Sequence, residues 1–168
     1  GTLEIRGMAD FERVDLSSLV SVGIDLLIDD LGELTTLDTP TSLTTIGERL
    51  RLRNLPKLAR IDGLSALEGE IGGVEIYIVP LLEDIDALGG LDHIEGSSIN
   101  IERANALRHL GDLDAGTGLA GSSARLTELR LVNNASLEDI TALAGVSEVD
   151  GQLTVRVCPE LRSLEGLE

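Results

Sequence analysis

The sequence predicts a mainly β fold, a parallel β-solenoid of about seven leucine-rich coils of roughly 24 residues, forming one domain over residues 1–168. Three observations carry this expectation. The chain repeats itself at a period of about 24 residues, each repeat opens on a period-two apolar stretch, and aromatic residues make up only 1% of a chain that is 42% apolar. Leu, Ile and Val must therefore fill nearly all of the interior, which suits a repetitive core.

The repeat is seen by placing GIDLLIDDLGELTTLD (23–38) above GERLRLRNLPKLARID (47–62), which aligns Leu26 with Leu50, Ile28 with Leu52, Leu31 with Leu55, Leu34 with Leu58 and Leu37 with Ile61. One apolar position recurs as Ile5, Ile28, Leu52, Ile76, Ile101, Leu131 and Val155, in steps of 23, 24, 24, 25, 30 and 24 residues. Parallel columns run through Leu3, Leu26, Leu50, Val74, Ile99, Leu129 and Leu153, and through Phe11, Leu34, Leu58, Leu82, Leu107, Leu137 and Leu161. Seven coils fit, the last cut short.

Each coil opens on a stretch such as LRL, EIYI or TELRL, whose alternation reads as a strand. Spacings of three follow, which suit a bend or a single helical turn. One coil cannot bury its own apolar side, but stacked coils cover one another and pair their backbone edges. Strands within a column are reached only after a full circuit, so they are parallel. At roughly 4.8 Å per strand, seven coils make a rod of about 34 Å.

The pattern G-x-L-x-I-x-N-x-x-L-x-x-I-x-x-L-x-x-L-x-x-I, present as GERLRLRNLPKLARIDGLSALEGEI, resembles the receptor L-domain family. The likeness implies a right-handed β-helix with about three short faces per coil and a ligand-binding role at a cell surface. The single Cys158 cannot form the disulfides of the animal members, so the bacterial cell-surface type is the better analogue. The chain opens and closes inside the repeat, as an excerpt of a longer protein would.

Thirty acidic against thirteen basic residues give a net charge of -17, a field that repels phosphate backbones and anionic lipid. Nucleic acid is excluded as a partner. No run of 18 apolar residues offers a membrane span, because Asp25, Asp29 and Asp30 interrupt the best candidate.

Candidate chemistry is thin. Asp15, Asp38, Asp62 and Asp86 recur one per coil. They are read as caps on short helical turns rather than cation ligands, because a metal site needs convergence. GTGLAG (116–121) matches a dinucleotide-loop spacing, yet it neither follows a buried strand nor opens a helix. It is read as part of an inserted loop, 111–123, with Asp112 and Asp114 too few for a calcium site. His93 and His109 lie in different coils without a metal-ligand partner, and Cys158 falls in an apolar column as a buried thiol. The sequence nominates no catalytic residue, cofactor or metal ligand, and the chain is expected not to be an enzyme.

That leaves the solvent face of the first strand. Alternation turns two columns outward: Glu4, Leu27, Arg51, Glu75, Asn100, Arg130, Thr154 and Arg6, Asp29, Arg53, Tyr77, Glu102, Val132, Arg156. Arg51 beside Glu75, and Asp29 between Arg6 and Arg53, predict ion pairs across neighbouring coils. The expected binding surface is Leu27, Arg51, Arg53, Glu75, Tyr77, Glu102, Arg130 and Val132, with Tyr77 flanked by arginine in the manner of an interface anchor. The expected function is non-enzymatic recognition of a protein or glycan outside a cell. The alternatives are a cell-envelope spacer that self-associates end to end, suggested by the lack of polar caps at Gly1 and Glu168, and a polysaccharide-active β-helix enzyme.

Overall fold

The structure is a computed structural model that describes residues 1–38, 42–95, 98–111, 116–119 and 123–167. It is a parallel β-solenoid of about six turns. On its first side lie β1 (Leu3–Arg6), β3 (Leu26–Asp29), β5 (Arg49–Arg53), β7 (Gly73–Tyr77), β9 (Ser98–Glu102) and the second halves of β10 (Ser123–Val132) and β11 (Val146–Arg156). Their register is the sequence columns themselves. Leu3 pairs with Leu26, then Leu50, Val74, Ile99, Leu129 and Leu153, and the Ile5 to Val155 column runs alongside. Seven strand positions separated by six circuits account for the turn number.

A second side, not read from the sequence as strand, holds β2 (Ser21–Val22), β4 (Thr45–Ile46), β6 (Gly69–Ile71) and β8 (Leu91–Glu95). β10 joins the two sides, pairing with β8 through Ser123–Arg125 and with β9 through Glu128–Val132. β11 follows β10 around this corner, with register irregularities where the chain turns. The third side carries single bridges from Thr36 to Arg60 and from His109 to Asp139, and short 3₁₀ turns at Asp62–Leu64, Asp86–Leu88 and Thr141–Gly145.

After each first-side strand the chain turns through one left-handed residue: Gly7, Asp30, Asn54, Ile78, Arg103, Asn133 and Val157, with φ between 50° and 72°. In six of them the N–H donates to the next coil, as from Asn54 to the Tyr77 carbonyl at 2.9 Å and from Ile78 to the Glu102 carbonyl at 2.9 Å. The corner is thus satisfied by its neighbour. Glycine, Asp and Asn tolerate this conformation, whereas the β-branched Ile78 and Val157 occupy it at a cost.

The core is a stack of Leu, Ile and Val from all three sides, fully enclosed in the middle coils. Among the described residues Asn134 is the one buried polar side chain. Phe11 and Val20 in the first coil, and Leu153 and Leu164 in the seventh, stand in apolar positions of the repeat yet are exposed, because each has a neighbouring coil on one side only.

Candidate binding surface

The middle of the first side is a strip of interlocked charges. Arg51 reaches Asp25 at 3.4 Å on one flank and Glu75 at 3.6 Å on the other, and Arg53 reaches the same Glu75 at 3.3 Å. One carboxylate therefore holds two guanidinium groups. Arg53 also lies 5.8 Å from the centre of the Tyr77 ring, within range of a cation–π contact, in the strand pairing that sets these two residues opposite each other. Further along, Arg130 donates to Glu102 at 3.1 Å. Parallel strands place equivalent residues side by side, so every partner here comes from an adjacent coil.

The Arg51–Glu75 pair falls where the sequence put it. The Asp29 arrangement does not: Asp29 accepts from Asn54 Nδ2 at 2.9 Å, while Arg6 turns to Glu4 of its own strand at 3.5 Å and Arg53 to Glu75. A short amide at the corner reaches Asp29 with a direct hydrogen bond. The arginines find carboxylates elsewhere.

Leu27 and Val132, expected as exposed apolar contacts, are 6% and 1% exposed. Leu27 lies in register between Glu4 and Arg51, and Val132 between Glu102 and Arg156. Long charged side chains on either flank cover a shorter apolar one. What the face offers a partner is therefore Arg51, Arg53, Glu75, Tyr77, Glu102 and Arg130, all half-buried.

The aspartate column accepts a backbone N–H as expected at Asp15 but needs correction at Asp62 and Asp86. The residue before each of the first two 3₁₀ turns is Ile61 or Ile85, with no side-chain cap, and Asp62 and Asp86 are the first residues inside the turns. Where a side chain does accept from the turn, it sits two residues earlier: Asp84 for the Asp86 N–H at 3.2 Å and Asp139 for the Thr141 N–H at 2.6 Å. Asp15 behaves in the same way toward the Ser17 N–H, at 2.9 Å. The Ser17 hydroxyl first, then the Ser17 N–H and the charge of Arg13, hold the Asp15 carboxyl below the usual aspartate range against a small desolvation.

Among the described residues no three of His, Cys, Asp and Glu converge as metal ligands, and no helix is long and apolar enough to cross a membrane. Of the inserted loop, residues 112–115 and 120–122 lie outside the described residues, and with them Asp112, Asp114 and Gly121. Its described part is tied back by the Leu119 N–H donating to the Leu110 carbonyl at 2.7 Å. Cys158 is half-buried rather than enclosed, its Sγ 3.8 Å from the Leu131 carbonyl, because only the sixth coil covers it. Comparison with protein-family models, with curated proteins and with solved structures finds no match for the chain.

Proposed function

We propose that this chain is a non-enzymatic recognition module, of the receptor L-domain kind, which engages a protein or glycan outside a cell through the outer face of β5, β7 and β9. The observation that carries this reading is the Tyr77–Arg53–Glu75–Arg51 strip. It joins an aromatic ring to a cation and to two shared ion pairs on a ladder that does not need them for its backbone pairing. Such a surface is pre-organised, since each side chain is already held by its neighbour before a ligand arrives. Ring and guanidinium together suit sugar faces and carbonyl-rich peptide strands. The net charge of -17 argues against phosphate-rich partners.

The test is capture. The chain, immobilised and exposed to glycan arrays and to cell-surface extracts, should retain a ligand that Arg53→Ala and Tyr77→Ala release at least about tenfold more readily. Equal retention by both variants, with folding intact by circular dichroism, would show that this face is not the binding surface.

A further inference from the structure

Leu81 stands 50% exposed in the fourth coil, which is covered by a neighbouring coil on either side. Among the described residues, the other large apolar side chains left exposed lie in the first and seventh coils or, as Ile24, beside Gly1. In the second, third, fifth and sixth coils the column of Leu81 holds Glu33, Lys57, Ala106 and Ser136. A single exposed leucine is ordinary. Its surroundings are not.

Three residues before it, Ile78 holds a left-handed φ of 56°, at a corner that the same four coils fill with Asp30, Asn54, Arg103 and Asn133. The Ile78 N–H donates to the Glu102 carbonyl at 2.9 Å, and its carbonyl accepts from the Leu55 N–H at 3.1 Å. The backbone bonds of this corner are thus complete whatever side chain stands there. Ile78 lies outside the core cluster, so its branched side chain costs strain without packing inward. Strain held against stability points to a use for the side chain. Tyr77, the only tyrosine of the chain, comes immediately before it. Tyr77, Ile78 and Leu81 follow one another around the outside of the corner and carry the strip from the first side toward the third.

Charge selects what this ridge fits. On both flanks the cation is the outer member of its pair: the Arg53 side chain is 38% exposed against 25% for Glu75, and Arg103 is 53% exposed against 16% for Glu102. Lys57, in register beside Leu81, is half exposed and held by Glu33 at 2.6 Å. The exposed Glu83 lies in register with Arg108. A partner therefore meets apolar side chains bordered by cations, with Glu75 and Glu102 behind them, and carboxylates are its complement. Ile78 and Leu81 offer no hydrogen bond to sugar hydroxyls, which are costly to bury unpaired.

We infer that the partner is a protein, and that it lays apolar side chains bordered by Asp or Glu on the Tyr77–Ile78–Leu81 corner. This names the partner of the Tyr77 face and rests on the reading of that face as the recognition surface.

The test is an array of short peptides, each with a pair of Leu or Phe residues bordered by Asp and Glu, by Lys and Arg, or by Ser, read beside a glycan array. The acid-bordered set should bind at least about tenfold more tightly than the base-bordered set. Leu81→Ser, Ile78→Asn and Tyr77→Ala should each weaken that binding at least about tenfold. Thermal melts should show Ile78→Asn at least as stable as the parent chain, so that its loss of binding reports a contact and not a folding defect. Arg125→Ala, on the second side, should leave binding unchanged. Sugars released by Tyr77→Ala but not by Leu81→Ser would keep the Tyr77 face and overturn the protein partner. Peptides released by Leu81→Ser but not by Tyr77→Ala would overturn that face and leave the corner as the site of the acidic partner. Equal binding of the three peptide sets, or binding of none, would overturn the inference.

Discussion

Asn134 spans two coils: its Nδ2 donates to the Ile101 carbonyl at 2.9 Å, and its Oδ1 accepts from the Ala104 N–H at 3.0 Å. At the equivalent corner two coils earlier, the Leu55 N–H donates directly to the Ile78 carbonyl at 3.1 Å. The asparagine side chain therefore does inside the core what a backbone carbonyl does elsewhere in the stack. Asn134→Leu keeps the volume and removes both bonds, leaving a buried donor and a buried acceptor unpaired. Urea unfolding should show a loss of about 2–5 kcal/mol. A loss below about 0.5 kcal/mol would mean that the two backbone groups find other partners.

Ile78 holds a left-handed conformation that its branched Cβ opposes, with φ of 56°. It is not part of the core cluster. Ile78→Asn should stabilise the chain by about 1 kcal/mol, since Asn takes this conformation readily and is native at the equivalent Asn54. Asn54→Ile should do the reverse and also remove the bond to Asp29. Thermal melts of both variants would check the sign.

Arg51 supplies positive charge to Asp25 and Glu75 at once. Arg51→Ala leaves two half-buried carboxylates facing each other across the strand, and should cost about 1 kcal/mol, more than one exposed pair is worth. The loss should shrink in high salt, which screens the residual repulsion. Denaturant unfolding at two ionic strengths reads both effects.

Asp15 keeps its proton less tightly than an unfolded aspartate, chiefly because the Ser17 hydroxyl donates to its charged form. A folded pKa below the unfolded one means that the stabilisation is present above the unfolded value and is lost as pH falls through the folded one. Ser17→Ala should move the Asp15 titration upward toward the ordinary range, observable by NMR of the side-chain carboxyl carbon. The fully exposed setting predicts a small effect on stability.

The inward columns were legible because burial is strict in a stacked coil. A polar residue at Leu50 or Leu52 would face apolar neighbours from two coils, so the pattern repeats wherever both neighbours exist. The second strand side was not legible, since β2 and β4 are two residues long with one inward residue each, Val22 and Ile46, and β8 buries Leu91 and Ile94 at a spacing of three, which gives no alternation to count. Outward burial was also hidden. Leu27 and Val132 occupy outward positions in the repeat yet are buried, in register with long charged side chains whose stems can lie over a shorter apolar one. Of the aspartates after the fourth apolar column, Asp15 does accept from a backbone N–H, but at the turns of Asp86 and Thr141 the accepting side chain sits two residues earlier, where Asp84 and Asp139 share a column with Thr36, Arg60 and His109. That column has no common chemistry to read.

Because each first-side strand pairs only with the coil before and the coil after it, stability is transmitted along the solenoid as along a chain of linked beads. Damage in a middle coil, as at Asn134, uncouples the two halves, whereas damage in an end coil merely shortens the ordered part. Amide exchange should accordingly be slowest near β5, β7 and β9 and quicken toward both ends. The strip around Tyr77 should then lie in the stretch of the rod that opens last.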